Sequence, residues 1–477
     1  MKKKITITII FSCIFCFGTL LRYYNHSYDD LWYDEVISFW VANPDFSLRE
    51  SFNNNYLIEE NNFTYNFILR FFFIFFGYSV ETGRLLSVVL SSLSILTLAF
   101  LSWQIKKNHS FVFSAFLIGL NIFLISYSQE MRVYSMLFFF CSLSLIFFIR
   151  VIENKKSLIN LLIFNLSNLT FLALHPFSII IFFSYIIYLI LLFYLFKKTF
   201  FYLYISLALS FLFFVFINYI NLINQINNIV LDYYWFTQPT LKFYTNFYFS
   251  AFFGSRLMGI IFLIFFIFLI IINFKKIITS NYLSLLFLIF IFSYFIPLVY
   301  GYIFRPIFTH KYIIFVLISI ILIISHLILE TKNNKIKFFL IVFLSLVTIG
   351  NHFTEQSFKQ FFKTRVVHKP EYTAAISFIS DSNFKKYTLL VEKMKNNKIT
   401  IIATNHYINY ISKKNNLDVK YISQIDATNR INKQTLWQIC FQDFNDKSCP
   451  VRENIKKFNI LEEKNFNNIN LKLLEIY

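Results

Sequence analysis

The stretch LMGIIFLIFFIFLIIINF, residues 257–274, contains one polar side chain, Asn273, and is followed at once by Lys275 and Lys276. The hydrocarbon core of a bilayer is ~30 Å thick, and roughly 17–25 apolar residues are needed for a helix to cross it. This stretch meets that requirement. It therefore predicts a transmembrane helix that ends at one membrane surface.

Similar apolar segments follow in both directions from this stretch. They lie near 5–22, 84–105, 111–127, 133–151, 157–174, 177–196, 199–217, 281–300, 312–330 and 337–350. Hydrophobic residues make up 57% of the chain and charged residues only 14%, whereas a soluble domain has about 25% charged residues. The first segment lacks a small-x-small cleavage site, so it remains as a helix. The sequence predicts a polytopic α-helical membrane protein with about eleven transmembrane helices.

Basic side chains decide the orientation of these segments. Cytoplasmic loops carry an excess of Lys and Arg, which explains the formal net charge of +19 better than nucleic-acid binding does. If the apolar segment 63–76 is an interfacial helix, the N-terminal lysines and all later basic loops share one side. The N-terminus is then cytoplasmic. The segments expected outside are 23–83, 128–132, 175–176, 218–256, 301–311 and 351–477.

The last part of the chain, residues 351–477, is richer in Lys, Asn and Asp than the rest. Short apolar runs alternate there with helix-like stretches at 371–380 and 405–413. The runs are 387–391, 400–403, 419–422 and 471–476. This alternation predicts a small extracytoplasmic α/β domain, which follows a transmembrane domain of residues 1–350. In an oxidising compartment Cys440 and Cys449 could form a disulfide.

Two adjacent acids lie just past the first predicted helix, in the segment Trp32-Tyr33-Asp34-Glu35. Acids at a membrane surface are costly unless they are solvated or paired. A carboxylate at such a place can accept the proton of an attacking hydroxyl group. The alternative, on these residues alone, is that both acids are solvated loop charges.

Further charged residues fall at expected outer helix ends. Glu130 and Arg132 lie in the segment 127–134, YSQEMRVY, where the chain turns back into lipid, and a local ion pair is the simpler reading. His175 joins two predicted helices, and Arg305 and Lys311 precede another. Grouped cations at an outer interface suit a phosphate at headgroup depth. The alternatives are a structural histidine and snorkelling side chains.

In this order the segments resemble a bacterial glycosyltransferase of the GT-C superfamily, of the type related to protein O-mannosyltransferases and to the aminoarabinose transferase of lipid A. The resemblance runs through most of residues 5–350. Its most specific part is Ser-Gln-Glu-x-Arg-x-Tyr at 128–134. Its other parts are the Trp-x-Asp-Glu segment at 32–35, Arg84, His175 and the pair Lys311-Tyr312, where the family usually has Arg-Tyr.

The resemblance implies a sugar transfer from a polyprenyl-phosphate donor to an acceptor hydroxyl. The reaction would take place at the outer face of the cell (inner) membrane, in a single inverting displacement without a covalent intermediate. It implies that Asp34 is the base and that Glu35 and Glu130 orient the acceptor or the donor sugar. The residues that it assigns to the donor phosphate and sugar are Arg84, Arg132, Tyr134, His175, Arg305, Lys311 and Tyr312.

The implied partners are the lipid-linked donor, a lipid, glycan or protein acceptor, and membrane lipids, without nucleic acid. No cofactor is expected. Some members of the wider superfamily bind a metal, but this sequence offers no ligand set beyond Asp34, Glu35 and Glu130.

Two other classes of protein stay open. One is an enzyme of the O-antigen ligase or polymerase type, which acts on a polyprenyl-linked glycan. The other is a transporter of lipid-linked sugar, for which polar groups near helix midplanes and inverted repeats would be expected. The ionisable residues here instead gather towards one face, and no repeat is apparent.

Overall fold

The computed structural model describes residues 2–58, 62–154, 157–196, 200–228, 249–254, 256–280, 282–303, 309–354, 369–382, 387–392, 398–415, 417, 419–421, 434–441 and 458–476. The chain divides into two compact units. We call residues 1–26, 60–65 and 84–364 the helical unit, and residues 27–59, 66–83 and 365–477 the mixed unit. The sequence instead predicts a boundary between residues 350 and 351, which divides a transmembrane domain from an extracytoplasmic one. That boundary stays a prediction.

Helices dominate the first 354 residues. Their bounds are α1 (Lys2–Tyr23), α2 (Tyr33–Val41), α3 (Leu48–Ile58), α4 (Thr64–Phe76), α5 (Val80–Ile105), α6 (Ser110–Gly119), α7 (Ile122–Ser128), α8 (Tyr134–Glu153), α9 (Leu158–Leu174), α10 (Ile179–Phe196), α11 (Phe201–Asn228), α12 (Arg256–Thr279), α13 (Leu283–Ile303), α14 (Val316–Leu329) and α15 (Asn334–Thr354). Short 3-10 turns at Pro176–Ser178 and His310–Ile313 precede α10 and α14.

Each predicted transmembrane segment falls on these helices. Within the described residues, eight helices are long and apolar enough to cross a membrane, or nine if the bent pair α6 and α7 is one span. Helices α9 and α14 are apolar as well but shorter. The prediction of a polytopic α-helical membrane protein is confirmed.

The short apolar helices α4 and α14 differ in what surrounds them. Helix α14 is buried from Val316 to Ile328 on every side, so it is a core helix of its unit. Helix α4 exposes Phe67, Phe71 and Phe75, which recur every four residues along one helix face. Its 13 residues span about 20 Å at 1.5 Å per residue, which is less than a bilayer core. Its length and exposed face are those expected of an interfacial helix.

Helices α6 and α7 form one broken segment, bent by 57°. A break frees backbone carbonyls that lipid cannot satisfy, so protein groups must bond them. The fully buried guanidinium of Arg22 donates to the carbonyls of Ile118 and Gly119 at 3.0 and 2.8 Å. The Nε2 atom of His352 contacts the Leu120 carbonyl at 2.6 Å. Side chains from α1 and α15 therefore cap the broken end of α6.

The mixed unit contains a five-stranded sheet of β1 (Tyr387–Glu392), β2 (Val419–Tyr421), β3 (Gln434–Phe441), β4 (Phe458–Phe466) and β5 (Ile469–Ile476). The strands lie in the order β2-β1-β3-β5-β4. Strand β1 pairs in parallel with β2 and β3, whereas β5 is antiparallel to β3 and β4. The predicted α/β fold class of the C-terminal region is confirmed. Two further helices of this unit are α16 (Tyr372–Asp381) and α17 (Lys398–Lys414).

Buried apolar side chains hold this unit together. Leu436, Trp437 and Leu471 are buried on the sheet, and Ile376 and Ile408 are buried on α16 and α17. Cys440 of β3 is disulfide-bonded. Cys449, the partner that the sequence proposes, lies outside the described residues.

The turn between α2 and α3 depends on one arginine. Arg70 of α4 is buried and donates to the carbonyls of Asn43, Pro44 and Phe46 and to the Ser51 hydroxyl. A guanidinium presents five donors in a rigid fork, so it can satisfy several carbonyls of one turn at once. Arg70 thereby fixes the path of the chain after α2.

Candidate functional site

Two cations, a histidine and two phenols come together in the helical unit. We call Arg132, Tyr134, His175, Lys311 and Tyr312 the cationic cluster. The Lys311 ammonium lies 5.4 Å from the centroid of the Tyr134 ring, and the His175 ring lies 4.7 Å from the Tyr312 ring. The charges of Arg132 and Lys311 both act on the His175 imidazole. The structure thus brings together five residues that the sequence assigns to the donor.

His175 is neutral in this cluster. Its side chain is 3% exposed, and burial, with the charges of Arg132 and Lys311, lowers its pKa from 6.5 to about 3. Its Nδ1 atom accepts a hydrogen bond from the Phe177 backbone N–H at 3.2 Å. His175 therefore also caps the 3-10 turn that leads into α10.

The segment that carries Glu130 and Arg132 is held by its neighbour Gln129. The Gln129 amide donates to the carbonyls of Leu21, Arg22 and Tyr24 at 3.3, 3.2 and 3.0 Å. Leu21 and Arg22 lie in the last turn of α1, whose carbonyls an α-helix leaves unsatisfied, and Tyr24 directly follows the helix. The Arg132 N–H donates to the Glu130 carbonyl at 2.9 Å, which closes a tight turn. Arg132 is buried in this turn, and Glu130 is partly exposed.

The other two predicted donor-binding cations differ in what the structure shows of them. Arg84 is 1% exposed, and its guanidinium donates to the His26 carbonyl at 3.2 Å. It therefore joins the start of α5 to the chain that leaves α1. Arg305 lies outside the described residues.

The two acids of the first predicted outer loop lie in the mixed unit and differ in burial. Glu35 is fully buried, accepts a hydrogen bond from the Trp32 N–H at 3.0 Å, and pairs with the Lys369 ammonium at 2.6 Å. Asp34 is partly exposed in the first turn of α2. The acid at position 35 thus ties α2 to the C-terminal part of the same unit, and Asp34 is the more accessible of the two.

Sequence reasoning missed several residues that build these arrangements. Lys369 is separated from Glu35 by 334 positions, and no local signal indicates the pair. Asp30 accepts hydrogen bonds from the N–H and hydroxyl groups of Thr373 at 2.7 and 2.6 Å and from the Tyr407 hydroxyl at 3.0 Å. Arg22 could have been predicted to bond other protein groups, because a charged residue at the end of a membrane helix needs partners.

Metal ligands are not grouped in the part of the chain that the structure describes. There, no three His, Cys, Asp or Glu side chains come together in a way that could hold an ion. The carboxylate of Glu35, one of the three ligands considered from sequence, is bonded to Lys369 and Trp32.

Comparison with known proteins finds the fold but no sequence family. No protein-family model matches the chain, and no curated protein does. ArnT from Cupriavidus metallidurans in the apo state is similar with a TM-score of 0.59 and 10% identity, over 98% of this chain and 97% of that one. The same protein bound to undecaprenyl phosphate gives 0.57 and 9%, over 99% and 98%.

A more distant similarity points to the same fold. The oligosaccharyltransferase from Archaeoglobus fulgidus, tethered with an acceptor peptide, gives a TM-score of 0.51 and 11% identity, over 92% of this chain and 69% of that one. Identities this low establish the fold alone, and they confirm the GT-C resemblance at that level. The chain is therefore a multi-pass membrane protein with the GT-C fold of ArnT and the archaeal oligosaccharyltransferase.

Proposed function

We propose that this protein is a glycosyltransferase that moves a sugar, a hexose or a pentose, from a polyprenyl-phosphate donor to an acceptor hydroxyl. The reaction takes place at the outer face of the cell membrane. It is a single inverting displacement. The acceptor oxygen attacks the anomeric carbon, and the lipid phosphate leaves from the opposite side.

The cationic cluster is the observation that carries this proposal. Arg132 and Lys311 act on one buried imidazole, and the phenols of Tyr134 and Tyr312 lie against the Lys311 ammonium and the His175 ring. Guanidinium and ammonium groups form charge-assisted hydrogen bonds with phosphate. Lipid phosphate is already a good leaving group, so placement and nearby positive charge supply most of what catalysis needs.

The fold supports the same reading. ArnT, whose fold covers almost the whole chain, has a structure bound to undecaprenyl phosphate. A polyprenyl tail needs an apolar groove, and a chain with 67 Phe residues can line one. A transporter would need neither an accessible acid in the first turn of α2 nor a cluster of cations around a buried histidine.

Asp34 is the proposed base. It is the accessible member of the acidic pair and lies in the first turn of α2. Glu130, partly exposed in the turn before Arg132, is proposed to orient the donor or acceptor sugar. Glu35 is buried against Lys369, so we propose that it positions Asp34 by fixing the start of α2.

The test uses the purified full chain with a panel of polyprenyl-phosphate sugars and a crude envelope fraction as acceptor. Loss of sugar from the lipid is followed for the wild type and for Asp34→Asn. The same substitution at exposed Asp381, in the same unit, is the control. We expect turnover with one donor in the wild type and in Asp381→Asn, and a loss of at least about a hundredfold in Asp34→Asn.

Two other outcomes would change the proposal. Equal turnover in Asp34→Asn would remove Asp34 from the role of base and direct attention to Glu130. Transfer of a whole glycan from a pyrophosphate-linked carrier, with no transfer of single sugars, would identify a ligase or polymerase instead.

The orientation is proposed from the lysine-rich loops, with the N-terminus in the cytoplasm. Single cysteines placed at Asp381 and at Lys107, in a chain without its own exposed cysteines, test it in whole cells. A membrane-impermeant thiol reagent should label the first position and not the second. The reverse labelling pattern would contradict the proposed orientation.

A further inference from the structure

We infer that His175 is a neutral hydrogen-bond donor that points its Nε2–H group at the phosphate of the lipid-linked donor, and that it is not the base of the reaction. The identity of the phosphate rests on the proposed function. The state of the imidazole rests on contacts within the helical unit.

The tautomer follows from the helix cap. Nδ1 accepts the Phe177 N–H at 3.2 Å, and an accepting ring nitrogen must present its lone pair. A neutral imidazole with an unprotonated Nδ1 carries its proton on Nε2. The turn Pro176–Ser178 and α10 follow directly. The same bond that starts this helical segment therefore selects the tautomer.

Four features oppose a second proton on this ring. A proton on Nδ1 would face the Phe177 N–H and break the cap, and the start of a helix is the positive end of its dipole. The ring is 3% exposed, so a charged form would lose its hydration. The neighbouring groups Arg132 and Lys311 carry positive charge, and the adjacent Tyr312 is a neutral phenol.

A neutral donor suits the change of charge in the proposed reaction. The bond from the anomeric carbon to the phosphate oxygen breaks, and the acceptor oxygen takes its place on that carbon. The phosphodiester, with one negative charge, becomes a monoester whose charge approaches two at neutral pH. A preorganised N–H aimed at that oxygen binds more strongly as the charge grows.

The protonation state also separates His175 from the acid–base step. The acceptor proton must go to a group with a free lone pair, whereas Nε2 already carries a proton and Nδ1 is engaged in the cap. His175 therefore keeps one proton throughout. Arg132 and Lys311 supply the positive charge, and the Nε2–H group of His175 orients the phosphate. A third positive charge would bind the product lipid phosphate more tightly and slow its release.

Nuclear magnetic resonance tests the ring without substrate. The full chain is labelled with ¹⁵N-histidine in detergent, and His175→Gln identifies the signals of this residue among the eight histidines. We expect the neutral Nε2–H form at every pH between about 5.5 and 8. An Nδ1–H form, or a second proton gained within that range, would overturn the inference whether or not the protein is a transferase.

Two variants test the role of Nε2–H with undecaprenyl phosphate as the probe. His175→Gln can place an amide donor near the position of Nε2. His175→Asn keeps an oxygen that can cap Phe177 but does not reach as far. We expect Gln to keep the dissociation constant within about threefold and Asn to weaken it about tenfold or more. Exposed His109→Gln should match the wild type.

The opposite ranking, with Asn binding normally and Gln weakly, would mean that the histidine is only a cap, and the phosphate role would fall. If the wild type does not bind the lipid phosphate, the proposed function fails together with that role. The resonance result for the tautomer would stand separately in that case.

Discussion

The Glu35–Lys369 pair of the mixed unit and the cationic cluster of the helical unit differ in the charges that they bring together. In the mixed unit the carboxylate of Glu35 faces the ammonium of Lys369 at 2.6 Å, with side-chain exposures of 0% and 9%. In the helical unit the charges of Arg132 and Lys311 instead act on a buried imidazole and lower its pKa. The first arrangement pairs opposite charges, and the second places two cations near a neutral ring.

We expect this difference to separate residues that stabilise the fold from residues that bind an anion. A matched buried pair mainly compensates the cost of its own desolvation and fixes geometry, so its loss is felt as instability. Charges that perturb a titratable neighbour are typical of functional sites. Substitutions in the first arrangement should therefore change folding, and substitutions in the second should change the binding of an anion.

The largest effect is expected from Lys369→Met, which leaves the Glu35 carboxylate buried without its cation. It should lower the free energy of unfolding by about 3–5 kcal/mol, measured by thermal unfolding of the full chain. The double variant with Glu35→Gln should recover part of this loss. Lys414, whose partner Glu81 is 3.7 Å away with both side chains exposed, is the control, and Lys414→Met should cost about 1 kcal/mol or less. Equal losses at both lysines would remove the special role of the buried pair.

Arg132→Met should lower the free energy of unfolding much less than Lys369→Met does. It should instead weaken the binding of undecaprenyl phosphate. Loss of a charge-assisted hydrogen bond predicts a dissociation constant about 10–100-fold higher. Arg132→Lys should lie between, since it keeps the charge but not the fork. Exposed Arg49→Met is the matched control. An unchanged dissociation constant in Arg132→Met would place the phosphate elsewhere.

Gly18→Ala tests packing beside the broken helix, away from both charge arrangements. A Cβ at Gly18 would lie 3.0 Å from the Gly119 Cα and 2.9 Å from the Ile95 side chain. Such overpacking should cost about 1–3 kcal/mol of unfolding free energy. At Gly350 a Cβ meets nothing within 4 Å, so Gly350→Ala should be neutral or stabilising by up to about 1 kcal/mol. The comparison fails if both alanines behave alike in thermal unfolding.

The pH dependence of stability gives the smallest effect. The pKa of His175 is about 3 in the folded protein, below the value near 6.5 of an unfolded chain. The unfolded state therefore binds the extra proton first as pH falls, and stability is lost below pH ~6.5 by at most about 1.4 kcal/mol per pH unit. His175→Gln should show a shallower loss in unfolding measured at pH 7 and pH 5.5. Identical slopes would mean that this ring is not held neutral.

The sequence predicted those features that depend on local composition. Long apolar segments marked the helices because each contains its own hydrophobic signal. The break between α6 and α7 was not predicted, although Gly119 and the capping residue Asn121 lie at it. Residues 111–127 are otherwise mostly apolar, and the bend is stabilised by Arg22 and His352 from distant helices. The run 400–403 lies in α17, although the other three apolar runs fall in strands. Its Ile pair packs equally well on a helix or a sheet.

Most residues of the cationic cluster could be singled out in the sequence because each lies beside a helix end and has a distinctive side chain. His175, Lys311 and Arg132 were identified in this way. Their grouping could not be inferred without the family resemblance, because their spacing in the chain carries no information on contacts across helices. The pairing of Glu35 with Lys369 could not be found either, as it depends on how the C-terminal region folds onto α2 within its unit.

The capped break of α6 has a consequence for biogenesis. Its donor Arg22 belongs to α1, which leaves the ribosome about a hundred residues before Ile118 and Gly119 do. The Arg22 guanidinium of α1 is thus available to bond the carbonyls of the broken segment when that segment enters the membrane. The cap from His352 arrives last, with α15. We expect the contacts of the break to form in the order of synthesis, first with Arg22 of α1 and last with His352 of α15.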